Sequence, residues 1–227
     1  MSKVCIVTGA SRGMGRGIAK VLAEERSATV YATARSEQAL NELTSEIKKG
    51  TGVIHPIVLD QTDDRAVENF VSEVSGKERQ IDLLVNSSYG GLTAIAPHFG
   101  KPFWERPISV FDASLNIGLR SAYVMSAFVA PHMVKQKSGL MVQVSSLGGY
   151  TYLFDVGYGV GKAGLDRLSA DMATELNSHG VNSVTLYPGG GVTETTNFPG
   201  GETPTFTGRA VAALLSDTSE DELTQLN

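Results

Sequence analysis

Hydrophobic residues gather in short runs rich in β-branched side chains, separated by longer stretches in which apolar positions recur at helical spacing. "VCIVT" (4–8), "ATVYA" (28–32), "VIHPIV" (53–58), "LLVN" (83–86), "LMVQVS" (140–145) and "VNSVTLY" (181–187) read as strands. Helical patterns lie between them, near 14–26, 37–49, 63–75, 109–136 and 158–178. Strands apolar on both faces must be covered on both faces, and parallel pairing needs the long crossovers that helices supply. The alternation predicts an α/β fold: a doubly wound parallel sheet of the Rossmann type, packed as a three-layer α/β/α sandwich.

No internal repeat or linker interrupts the pattern, so the 227 residues read as a single domain, 1–227. The stretch "PGGGVTETTNFPGGETPT" (188–205) is rich in Gly, Thr and Pro and disfavours a helix. It follows a strand, and in such sheets ligands bind beyond the carboxyl ends of the strands. A loop there is placed to close over a substrate.

Composition narrows the function. Hydrophobic residues at 41% and charged residues at 19% indicate a soluble globular chain. A formal charge of −5 argues against nucleic-acid binding, which calls for a basic surface. Cys5 has no partner for an internal disulfide and lies in an apolar run, so it reads as core. His55, His98, His132 and His179 lack metal-ligand spacing, and no metal is expected. With no signal region before "VCIVT" and no membrane-spanning run, a cytoplasmic protein is the simplest expectation.

The first chemical signal is "TGASRGMGRG" (8–17), set between the first strand and the first helix. Gly9, Gly13 and Gly15 permit a tight turn and close backbone approach to a dinucleotide pyrophosphate at the helix N-terminus, with Ser11, Arg12 and Met14 completing the loop. An acid about 20 residues further on would bind the ribose 2′-hydroxyl of NAD. The second strand instead ends in "YATARSE", with Ala34 at that position and Arg35 after it. Two guanidiniums, Arg12 and Arg35, suit a 2′-phosphate, which points to NADP(H).

The second signal is "YGVGK" (158–162), which sets a phenol and an ammonium on one face of a helix. An ammonium about 4 Å from the phenol, at an effective dielectric near 20, would favour phenolate by roughly 4 kcal/mol. That would lower the phenol pKa by about three units before desolvation opposes it. The expectation is a tyrosine tuned toward neutral pH for acid/base work.

Together these motifs resemble the classical short-chain dehydrogenase/reductase family over nearly the whole chain, from the glycine loop to "PGGGVT". "FWERP" (103–107), "NIGLR" (116–120) and "YGG" (89–91) are similar to one branch of it. The resemblance implies that Tyr158 is the catalytic acid/base and Lys162 its partner. It assigns the substrate-orienting serine to Ser145, at 158 − 145 = 13 positions before the tyrosine, with Ser146 off that spacing. Asn116 matches the helix asparagine of the catalytic tetrad and would hold a water of a proton relay. Asp60 matches an adenine-contacting acid. Asn86 opens the N-N-A-G motif, written here "NSSYGG", and Pro188, Gly189 and Thr193 match P-G-x-x-x-T in the cofactor site.

The implied activity is hydride transfer between NADP(H) and a carbonyl or alcohol. Tyr89, Phe103, Trp104, Tyr150, Tyr152 and Phe154 could line a pocket for an apolar ketone or aldehyde. The alternative is a nucleotide-binding sensor or scaffold without catalysis. The family also raises the possibility of a homo-oligomer. The chain ends "SEDELTQLN" without the family's usual final strand.

Overall fold

The computed structural model describes residues 2–48, 51–194 and 198–216. All six strands pair in parallel in one sheet, in the order β3-β2-β1-β4-β5-β6. The strands are β1 (Val4–Thr8), β2 (Thr29–Ala34), β3 (Val53–Val58), β4 (Leu83–Asn86), β5 (Gly139–Val144) and β6 (Val181–Leu186). Each lies within two residues of its expected range. The order reverses between β1 and β4, which opens a crevice at their carboxyl ends.

Side chains alternate across the sheet and seed two apolar layers. Cys5, Val7, Val30, Ala32, Leu83, Val85, Leu140 and Val142 face α1 (Gly13–Arg26), α2 (Glu37–Glu46) and α8 (Pro204–Ser216). Val4, Ile6, Tyr31, Leu84 and Met141 face α3 (Asp64–Lys77) and α6 (Ser121–Gln136), with Leu176 at the end of α7 (Val156–Leu176). This is the expected three-layer sandwich, with Cys5 fully buried in it.

Side-chain caps start several helices where their free amides need acceptors. Ser36 accepts from the Ala39 N–H at 3.3 Å to open α2, and Asp63 accepts from the Ala66 N–H at 3.0 Å to open α3. The helix expected over 109–136 runs unbroken from Ile108 to Gln136, but its middle turn is π-helical. It runs as α5 (Ile108–Ser114), a π-helical turn at Leu115–Arg120, and α6. A short α4 (Gly91–Ile95) and the whole of α8 were not expected. The position of a final strand, beyond residue 216, lies outside the described residues.

Helix α8 carries the chain from the 188–205 segment back onto α1, and the two helices meet backbone to backbone. A Cβ at Gly17 would overlap Pro204, and one at Gly208 would come within 2.8 Å of the Gly17 carbonyl. Gly17→Leu is therefore expected to lower stability by about 1–3 kcal/mol through overpacking. Urea unfolding checks this, with Gly76→Ala in α3, where a Cβ meets nothing within 4 Å, as the control expected to keep or slightly gain stability.

Candidate active site

A cleft of about 1060 Å³ opens at the crevice between the carboxyl ends of β1 and β4. Gly9, Ser11, Arg12, Gly13, Met14 and Gly15 line one wall, and Ser145, Ser146, Tyr158 and Lys162 line another. The two motifs, about 150 residues apart in sequence, thus share one cavity.

The glycine loop is shaped by close approach. Gly9 has φ +67°, and a Cβ on it would come within 2.8 Å of the Ser87 carbonyl; a Cβ on Gly15 would overlap the Gly9 carbonyl. The Thr8 hydroxyl braces the facing loop by accepting the Ser87 and Ser88 N–H groups at 3.0 and 3.2 Å. Arg12, at the N-cap of α1, makes no side-chain cap. The Gly13 N–H donates to the Glu194 carboxylate at 2.8 Å. An anion therefore already stands at this helix terminus, where backbone amides and the helix dipole favour negative charge. These residues fit a dinucleotide pyrophosphate.

At the other end of the cleft lie Ala34, Arg35, Ser36 and Asp60. Asp60 Oδ1 accepts from the Thr62 N–H at 2.9 Å and from its hydroxyl at 2.8 Å. Those bonds, with a smaller contribution from nearby Arg35, hold the carboxyl below its ordinary range. Arg12 and Arg35 both line the cleft, and the Arg12 guanidinium donates to Thr93 Oγ1 at 3.2 Å. Pro188, Gly189 and Thr193 line the cleft. Asn86 does not. Its amide is buried behind the cleft and donates to Ser126 Oγ at 3.0 Å, tying β4 to α6.

The serine that meets Tyr158 is not the one expected from spacing. The Tyr158 hydroxyl donates to Ser146 Oγ at 2.8 Å, and that oxygen also accepts the Gly148 N–H at 2.9 Å. With both acceptor sites filled, the Ser146 hydroxyl proton is left to donate elsewhere. Ser145 is the first residue after the strand. It is buried, and its hydroxyl reaches back to the Lys162 carbonyl at 3.4 Å. Ser146, rather than Ser145 at the count of thirteen, meets the tyrosine as the chain passes from the end of β5 at Val144 into the 3-10 turn at Leu147–Gly149. Asn116 is a second correction. It lies in the π-helical turn with its side chain exposed outside the cleft, and its carbonyl accepts the Ser121 N–H.

The electrostatics also depart from expectation. Tyr158 and Lys162 are both buried, and the Lys162 ammonium donates to the Val144 carbonyl at 2.9 Å, 5.9 Å from the Tyr158 ring centre. Burial pushes the Tyr158 phenol above its ordinary value, with the Ser146 hydrogen bond opposing. Burial likewise draws Lys162 down to about 8, with Asp166 pulling the other way. Desolvation outweighs the attraction estimated from spacing alone. Among the described residues, no group of three or more His, Cys, Asp or Glu is placed to hold a metal.

Asp155, which spacing alone did not single out, sets the helix carrying this pair. It caps α7 by accepting the Tyr158 N–H at 2.7 Å, and its other oxygen meets Arg106 of "FWERP" at 3.1 Å, with both side chains 6% exposed. An Asp three residues before the tyrosine is the signal that could have revealed it. Of the six candidate aromatics, Tyr89 and Phe154 line the cleft. Phe103, Trp104, Tyr150 and Tyr152 are exposed outside it, while Leu92, Ile117, Leu147, Leu153 and Phe198 contribute the remaining apolar wall.

Comparison with known proteins agrees with this geometry. The sequence profile described as short chain dehydrogenase matches residues 3–199. The chain is 40% identical over 236 residues to dehydrogenase/reductase SDR family member 1 of Mus musculus, covering 95% of this chain and 75% of that protein. It is 43% identical over 188 residues to its Homo sapiens counterpart, of which it spans 60%. A metagenomic short-chain oxidoreductase solved in complex with NADP superposes with a TM-score of 0.81 at 29% identity, covering 95% of this chain and 90% of that one.

Asp155→Ala removes a helix cap and strands a buried guanidinium, so it is expected to destabilise the protein by about 3–5 kcal/mol. Denaturant unfolding measures this. Replacing both partners with apolar residues of similar volume should recover much of the loss.

Proposed function

The chain belongs to the short-chain dehydrogenase family, and from that premise we propose that it transfers a hydride between NADP(H) and the carbonyl or alcohol carbon of an apolar substrate. The observation that carries this reading is the Tyr158 hydroxyl, hydrogen-bonded to Ser146 in the same cleft as Lys162 and the glycine cradle.

When bound, the nicotinamide supplies the hydride chemistry. The protein supplies orientation and the proton. In the reducing direction, the Ser146 hydroxyl donates to the substrate oxygen, and Tyr158 gives its proton to that oxygen as alkoxide character develops. A phenol raised by burial holds its proton at neutral pH, as a general acid must. Lys162, fixed to the Val144 carbonyl, places positive charge beside the phenolate left behind. Leu92, Ile117, Leu153 and Phe154 give the substrate side an apolar lining, which favours a ketone or aldehyde with hydrophobic substituents.

Arg35 beside Ala34 supports NADP(H) over NAD(H): the position that would carry a 2′-hydroxyl acceptor is uncharged, and a guanidinium stands next to it. The NADP bound by the metagenomic relative is consistent with this choice.

Tyr158→Phe is expected to reduce turnover by about 10²–10⁴-fold while dinucleotide binding persists. Ser146→Ala should cost about 10²-fold or more, whereas Ser145→Ala retains turnover. Steady-state kinetics over a panel of carbonyl compounds, with fluorescence titration of the cofactor, reads both. Turnover that survives Tyr158→Phe would reject the mechanism. Arg35→Ala is expected to weaken NADP(H) by about tenfold or more, the value of a charge-assisted hydrogen bond, with NAD(H) unchanged by calorimetry.

A further inference from the structure

The Lys162 ammonium has three N–H donors, is 8% exposed, and has one described hydrogen bond, to the Val144 carbonyl. A buried cation needs further compensation. The groups facing it are Tyr158 and Asp166 from its own helix, the Val144 carbonyl from β5, and Tyr89 from the loop after β4. Asp166 acts through space, and Asp155 lies toward Tyr89. Asn116, expected to hold a water of a proton relay, is exposed and does not line the cleft.

Tyr89 is the nearest ring. Its centroid lies 5.0 Å from the ammonium, within the reach of a cation–π contact, against 5.9 Å for Tyr158. The ring is held on several sides. Its hydroxyl pairs with Ser114 Oγ at 3.0 Å, and its plane meets Tyr158 edge-on at 5.5 Å and 90°. Glycines make room for it: a Cβ at Gly118 would come within 2.9 Å of the ring, and one at Gly91 would overlap the hydroxyl. Burial raises the Tyr89 phenol well above its ordinary value, so the ring stays neutral and keeps its negative face.

We propose that Tyr89 is a positioning residue whose π face clamps the Lys162 ammonium and, through its edge-on contact, aligns Tyr158. The inference rests on Tyr158 and Lys162 being the catalytic pair. It adds to that reading a specific reason for "Y" in "NSSYGG": the aromatic ring replaces a second hydrogen-bond acceptor for the lysine.

The test replaces Tyr89 in the full chain with phenylalanine, then with 4-fluoro-, 3,5-difluoro- and 3,4,5-trifluorophenylalanine. These keep the ring's shape while draining its negative face. Lys162 is titrated by NMR with carbon-13 lysine, its signal assigned by loss in Lys162→Met. The lysine midpoint is expected to fall stepwise with fluorination, by roughly one pH unit across the series, and at least as far in Tyr89→Leu. An unmoved midpoint across the fluorinated series overturns the clamp. If Tyr89→Leu does not fold, the fluorinated series decides alone. The readout needs no substrate, so its failure is distinct from a failure of the Tyr158→Phe experiment, which bears on the enzymatic reading itself.

Discussion

The arrangement of the cleft turns on keeping an ammonium almost out of water. Lys162 sits in the body of α7 against the end of β5, and removing a charge from solvent is costly unless neighbouring dipoles replace the lost hydration. A strand-end carbonyl supplies one dipole, and ring faces stand where water would otherwise be. The same enclosure acts on the phenol one turn earlier, in the opposite sense: burial favours neutral tyrosine and neutral lysine together. Burial therefore works against charge on either group, and charge on one is favoured when the opposite charge appears on the other.

Geometry of that kind requires a helix whose start does not drift. The cap by Asp155 fixes the first turn of α7, and its ion pair with Arg106 ties that turn to the segment before α5. The π-helical turn between α5 and α6 serves the same region, since Ile117 within it reaches the cleft while Asn116 faces out. An irregular turn at this point changes which side chains a helix presents inward.

The sheet, its register of apolar faces and both chemical motifs were legible in the sequence, because strand runs and glycine turns are local patterns. Helix α8 was missed although Pro204 stands at its first position and Val211, Ala212 and Leu215 recur at helical spacing; the Gly- and Thr-rich stretch before it hid the start. Ser146 was passed over because counting residues assumes a fixed path from strand to helix, and the 3-10 turn alters that path. The opposite shift of Tyr158 was not legible for a different reason. Spacing reveals which charges are near, but the depth of burial that outweighs them is a property of the assembled layers.

Glu194 at the mouth of the glycine cradle sets up a competition for binding. A tethered carboxylate is present at a fixed local concentration however dilute the protein, so any incoming anion competes with an intramolecular rival. A simple anion such as sulfate has one group with which to displace it. A dinucleotide engages the cavity at several points at once and can exchange that single contact while held by the others, so the gate sorts ligands by how many handholds they bring.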